Sequence, residues 1–214
     1  MGINNNFNKI KNCIDEKGNL NKSPEEIQSS IKAAELLCES LLGATLNIRS
    51  NIFVIRMLEI YYGSVADDSH DWYRNRFKYK TSKYVERSEV QSQKGFKIYT
   101  CSPDMEDSHN RMDIVVGNEN VAISFLLRSI WDKNFKRIGT NDGSPNIVLN
   151  TMGIKPTDHR LEIQFGTGNG SICIEDTHDR IYKEKNLITK RSERLGVSSD
   201  FEKRNNLQWN FCAE

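Results

Sequence analysis

Phe53-Val54-Ile55-Arg56-Met57-Leu58-Glu59-Ile60-Tyr61-Tyr62-Gly63 decides how this chain is read. The stretch reads as a buried strand with a carboxylate near its end. In a strand, side chains two residues apart share a face, so Phe53, Ile55, Met57, Glu59 and Tyr61 lie together. An ionisable group on an apolar face is costly unless it is paired or used. The strand delivers Glu59 beside the ring of Tyr61, and His70 follows after a short polar loop. A carboxylate, a phenol ring and an imidazole converging at a strand end suit a site that grips a flat base and activates a water.

Outward from that strand, helix entry is signalled at Ser23-Pro24-Glu25-Glu26, with Ser23 as cap, Pro24 at the first helical position and Glu26 closing a capping box. Ala33, Leu36, Leu37 and Leu41, with Ala34 and Ile31 nearby, give an apolar stripe that carries the helix to about Leu42, and Gly43 stops it. Thr45–Ile48, Lys97–Thr100, Met112–Gly117, Val121–Ile130, Leu161–Phe165 and Ser171–Ile174 read as strands. Further strands are expected near Glu193–Val197 and Leu207–Phe211, and a helix from Pro145 to Met152, closed by Gly153. The fold class is therefore α+β, a single mixed domain with a curved, mainly antiparallel sheet flanked by helices. The domain is expected over 23–214. Residues 1–22, polar and rich in Asn and Lys, are expected to form a loose or weakly helical arm.

Composition narrows the class. With 214 residues, 37% hydrophobic and 28% charged, the chain is long enough for one substantial core and too apolar for wholesale disorder. No apolar run approaches a membrane span, and no charged-then-apolar signal pattern opens the sequence. The 5 cysteines include no CxxC pair, which reads as reduced thiols in an intracellular, non-secreted protein, cytoplasmic or nuclear. No Cys/His cluster has ligand spacing for zinc, and neither a metal nor an organic cofactor is expected. The net charge of +1 neither selects nor rejects nucleic acid, because a local patch suffices. One such run is Tyr73-Arg74-Asn75-Arg76-Phe77-Lys78-Tyr79-Lys80. Arg74, Arg76, Lys78 and Lys80 suit phosphate tracking between stacking rings. The same alternation equally suits an edge strand guarded by lysines. Read without further context, Glu59 is either a working carboxylate or a structural one paired with Arg56 or Arg128.

The segment Glu59-Ile60-Tyr61-Tyr62-Gly63 with Asp67-Asp68-Ser69-His70 resembles the E-A-Y-x-G…D…H segment of the alkyladenine (3-methyladenine) DNA glycosylase family. Arg74-Asn75-Arg76 is similar to that family's R-N-R turn, and Met112-Asp113-Ile114-Val115 with Phe125-Leu126-Leu127-Arg128 to its M-N-I…V-L-x-R-A strands. Gly143-Ser144-Pro145 to Met152-Gly153-Ile154 resembles its G-P-x-x-L…A-L-G-I helix. Arg194-Leu195-Gly196-Val197 and Leu207-Gln208-Trp209-Asn210-Phe211 resemble the family's closing strands. The resemblance implies a monofunctional, monomeric enzyme that flips an alkylated or deaminated purine out of DNA and hydrolyses its N-glycosidic bond. By position, Glu59 would activate the water, with Arg128 beside it, and Tyr61, His70 and Tyr99 would enclose the base. Asp113 stands where the family carries a pocket Asn. The family's aromatic wedge is replaced by the acidic loop Asp104-Met105-Glu106-Asp107, in which Met105 is the one apolar side chain. If Met105 does not insert, single-stranded or mismatched DNA is the expected partner. A catalytically silent relative that binds nucleic acid, a nucleotide or a protein is the alternative.

Overall fold

The computed structural model describes residues 2–13, 24–64, 97–100, 112–117, 121–139, 145–155, 158, 161–166, 172–193 and 208–214. Four helices lie among them: α1 (Ile3–Cys13), α2 (Pro24–Leu41), α3 (Pro145–Met152) and α4 (His178–Lys185). The strands are β1 (Thr45–Ile48), β2 (Asn51–Ser64), β3 (Lys97–Thr100), β4 (Met112–Val115) and β5 (Val121–Asp132). They continue with β6 (Arg137–Ile138), β7 (Gln164–Phe165), β8 (Ile172–Glu175), β9 (Thr189–Ser192) and β10 (Asn210–Ala213). All join one curled, mostly antiparallel sheet in the order β3-β4-β5-β2-β1-β8-β7, with β10 on β2, β9 on β10 and β6 on β5. The expected mixed α+β class with a curved, mainly antiparallel sheet and flanking helices is the observed one. Among the described residues no helix is long and apolar enough to cross a membrane.

The long strand read from Phe53–Gly63 is the spine of this sheet. One edge of β2 pairs with β5 along nearly its whole length. The other edge is shared: β1 takes Asn51–Val54, and β10 takes Met57–Glu59. The change of partner coincides with a break in the β2–β5 ladder. Ile55 faces Ile130 and Leu58 faces Leu127, with only Met57 against Ser129 between them. Arg56 and Arg128 are the two residues the ladder passes over, and such irregularities bend a strand and re-aim its side chains.

Strand alternation gives β2 two different faces. Leu58, Ile60 and Tyr62 are buried in the main core, opposite Leu127, Phe125 and Ile123 of β5. That face meets α2: the Tyr62 hydroxyl is 2.6 Å from the Ser30 hydroxyl. Trp209 of the adjoining strand donates to Glu35 of α2 at 3.3 Å. Helix α2 ends where the sequence predicted, at Gly43, whose φ of +72° and close approach to the Tyr182 ring leave no room for a Cβ. Cys38 is ordinary core, and burial pushes its thiol well above the usual range.

Three features differ from the sequence reading. First, residues 3–13 take the helical alternative for the arm, but are packed into the core and not loose. They form α1, whose Ile3, Phe7 and Ile10 enter the core, with the Phe7 ring 5.4 Å from that of Phe165. Its apolar stripe is only three residues wide among Asn and Lys, so composition hid a helix that packing holds. Second, His178–Lys185 is a helix where none was read. It buries only Ile181 fully, but His178 stacks on Tyr182 at 4.1 Å and reaches the Leu42 carbonyl through Nδ1 at 2.6 Å. Burial pushes the Tyr182 phenol up to about 12, so it stays protonated in its 2.9 Å contact with Thr189. Third, the last strands are displaced, to Thr189–Ser192 and Asn210–Ala213. The pair β7–β8 is parallel.

If α1 belongs to the core, Phe7→Ala should cost ~3–5 kcal/mol of unfolding free energy in urea titrations. A cost below ~0.5 kcal/mol, the usual range for surface substitutions, would return residues 3–13 to a loose arm.

Candidate active site

The face of β2 turned away from α2 carries Met57, Glu59 and Tyr61. Register fixes what lies beside them. Across the sheet Glu59 faces Asn210 of β10 on one side and Leu126 of β5 on the other. Leu126 faces Asp113 of β4, Asp113 faces Tyr99 of β3, and Asn210 faces Ser192 of β9. Directly opposed residues of an antiparallel sheet present their side chains on the same side. Ser192, Asn210, Glu59, Leu126 and Asp113 thus form one cross-strand row, and Tyr99 occupies the register position at its end. In the next row Tyr61 faces Ser124, and Ser124 faces Val115.

These two rows carry buried polar side chains where a core face should be apolar. Glu59 is 0% exposed, Asp113 1%, Ser124 1% and Asn210 4%. Two strand spacings, about 10 Å, separate the backbones of Glu59 and Asp113. Among the described residues no group of three or more His, Cys, Asp and Glu side chains is placed to hold a metal ion.

Arg128 completes the group. Two residues beyond Leu126, and released from the ladder, it turns its guanidinium onto Glu59. Its Nε donates to Glu59 Oε2 at 2.8 Å, and its Nη2 lies 2.6 Å from the same oxygen. A fork that engaged both carboxylate oxygens would consume the acid's acceptors. Here both guanidinium contacts fall on Oε2, and Oε1, also buried, has no hydrogen-bond partner among the described residues. The arrangement holds the carboxylate in place and leaves one of its oxygens without a hydrogen-bond partner among the described residues. Chemically that is a fixed base and a counter-charge for a developing cation.

The structure therefore brings together Glu59, Arg128, Tyr61 and Asp113, with Tyr99 in register. Of the two cations weighed as partners of Glu59, Arg128 is the one engaged. Arg56 instead stands 5.8 Å over the Trp131 ring and 3.9 Å from Glu214. His70, Arg74, Arg76, Lys78, Lys80 and the 104–107 loop lie outside the described residues, as does the Tyr99 side chain. Sequence reading missed Asn210, Ser124 and Ser192. For Asn210 a signal was present. It interrupts the apolar run Trp209–Cys212 just as Glu59 interrupts its own strand, and Trp209 and Phe211 on either side are wholly buried. No protein-family profile matches the chain, and no curated protein sequence matches it.

Removing one partner of a buried ion pair strands the other charge. Arg128→Ala should lower the unfolding free energy by ~3–5 kcal/mol, whereas the double change Glu59→Leu with Arg128→Met should stay within ~1 kcal/mol of the parent or exceed it. Chemical denaturation of the three proteins checks both values. An Arg128→Ala cost below ~1 kcal/mol, typical of an exposed pair, would mean that the carboxylate is not buried as described.

Proposed function

We propose that this protein is a DNA base-excision glycosylase of the alkyladenine type, with an alkyladenine-glycosylase-like fold. It would hydrolyse the N-glycosidic bond of alkylated or deaminated purines after extruding the nucleotide from the strand, as a monofunctional enzyme that leaves an abasic site. The observation that carries this reading is the buried Glu59 carboxylate, held by Arg128 through Oε2 alone with Oε1 left over. The order of Glu59, Tyr61, Asp113 and Arg128 along the chain supports it, since the family resemblance names these residues and the sheet places Glu59, Tyr61 and Asp113 on one face with Arg128 against Glu59.

In this mechanism Oε1 of Glu59 accepts a proton from water as the water oxygen attacks the sugar C1′ carbon. The C1′–N bond breaks and its electron pair leaves with the base. Arg128 holds Glu59 in a fixed orientation, so no reorganisation is needed at the moment of reaction. A purine nucleotide methylated on a ring nitrogen such as N3 or N7 is cationic and its base departs neutral, which makes it a tolerable leaving group. Tyr61 and Tyr99 would stack on it, and His70 would contact the base or a phosphate. DNA is the partner, and single-stranded or mismatched DNA is favoured because the 104–107 loop offers only Met105 as a wedge.

A second reading is a catalytically silent protein with the same pocket, which binds a nucleic acid, a nucleotide or a protein. The complete burial of Glu59 favours it, because a purely structural ion pair needs nothing else. One assay separates the two. Oligonucleotides carrying methylated adenine, ethenoadenine or hypoxanthine, single- and double-stranded, should give alkali-labile sites with the parent protein. With Glu59→Gln release should fall ~10²–10⁴-fold while binding is retained. Undiminished release by Glu59→Gln rules the mechanism out. Binding by the parent without release on any of these substrates selects the silent reading.

A further inference from the structure

Glu59 and Asn210 face each other across β2 and β10, and each carries a buried acceptor oxygen without a hydrogen-bond partner among the described residues. These oxygens are Glu59 Oε1 and Asn210 Oδ1. The Asn210 amide nitrogen is already committed, donating to the Ser192 hydroxyl at 3.0 Å. The Ile60 amide donates to the Trp209 carbonyl at 2.8 Å, which marks Ile60–Trp209 as a hydrogen-bonded pair of the ladder. The adjacent pair, Glu59–Asn210, is then the close one, its Cα atoms about 4.5 Å apart. Both residues are more than nine-tenths buried.

Two buried acceptors side by side need a donor with two hydrogens, because neither oxygen can satisfy the other. Water is the smallest such donor, and buried waters are held by this kind of otherwise unsatisfied group. We infer that Glu59 Oε1 and Asn210 Oδ1 together hold one water molecule, and that this water is the nucleophile, with Asn210 as its positioning residue. The inference rests on the glycosylase reading for the nucleophile's fate, and on the sheet register and the two unsatisfied oxygens for the water site.

The geometry suits the reaction. With both hydrogens directed at the two acceptors, the water's remaining lone pairs point away from the β2–β10 seam. Attack on C1′ forms the C–O bond. One hydrogen passes to Glu59 Oε1, the second stays on the new hydroxyl, and the electron pair of the C1′–N bond leaves with the base. Arg128 fixes the acid and Ser192 fixes the amide, so both ends of the water's cradle are anchored.

The test joins a structure to a rate. In a high-resolution crystal structure of the unmodified protein, one water should lie ~2.7–3.0 Å from both oxygens. Asn210→Leu, nearly isosteric but without an acceptor, should release ethenoadenine from a single-stranded oligonucleotide ~10²-fold more slowly, as misplacement of a reactant does. Its affinity for that oligonucleotide should stay within about two-fold, since the lost contact is to water and not to the ligand. Asn210→Asp keeps an acceptor in the same place and should recover most of the rate, leaving it within ~10-fold of the parent. Release by Asn210→Leu at the parent's rate overturns the inference. So does electron density with the Asn210 amide nitrogen directly on Glu59 and no water between them, whatever the assay gives and even if the variants fail to fold. A bridging water in a protein that releases no base overturns the glycosylase reading and the water's role as nucleophile, while the shared water site stands.

Discussion

The contact between the Arg128 guanidinium and the Glu59 carboxylate is the constraint on which the rest of this structure depends. A carboxylate with no exposed surface is tolerated only because a cation reaches it within the sheet. Arg128 lies two residues from Leu126, on the same face, and the ladder passes over it as it passes over Arg56 on β2. The same irregularity is where β2 exchanges one edge partner, β1, for another, β10. The register shift, the arginine that reaches Glu59 and the change of edge partner to β10, which brings Asn210 beside Glu59, thus fall in one short stretch of the sheet.

The sheet separates stability from chemistry by face. Toward α2 it presents Leu58, Ile60, Tyr62, Phe125, Leu127, Trp209 and Phe211, all core residues. Toward the other side it presents Glu59, Tyr61, Asp113, Ser124 and Asn210, a polar set that contributes little apolar burial. Burying so many polar groups is costly, and hydrophobic contacts on the opposite face offset it. A protein selected only for stability would fill that face with Val and Leu. Retention of an acid, an amide and a guanidinium there is the physical basis for reading the face as a site.

Much of this was legible in the residues, for identifiable reasons. The strand around Glu59 declares itself by alternation, and Pro145–Met152 by a proline at its start and a left-handed glycine after its end. Glu59 stands out as a charge on an apolar face, and position pointed to Arg128. What was not legible depends on long-range register. Nothing local in Trp209-Asn210-Phe211 says which strand it will adjoin, so Asn210 gained meaning only once it faced Glu59. Helix α1 was hidden because three apolar residues in eleven give too weak a stripe, and its place is decided by Phe165 and α2. Helix α4 was hidden because its interactions are capping and ring stacking, with a single fully buried aliphatic side chain.

The central claim, that the acid held by Arg128 works on the sugar of an extruded purine nucleotide, is tested most directly by one co-crystal structure. The Glu59→Gln protein should be crystallised with a short single-stranded oligonucleotide carrying one ethenoadenine. The account predicts an intact nucleotide turned into the β2–β5–β4 face, its base against Tyr61. The sugar C1′ should lie within one water of residue 59, at the ~3–3.5 Å spacing of water to carbon that attack requires. A nucleotide bound on another surface, or one whose sugar cannot approach residue 59, would contradict it.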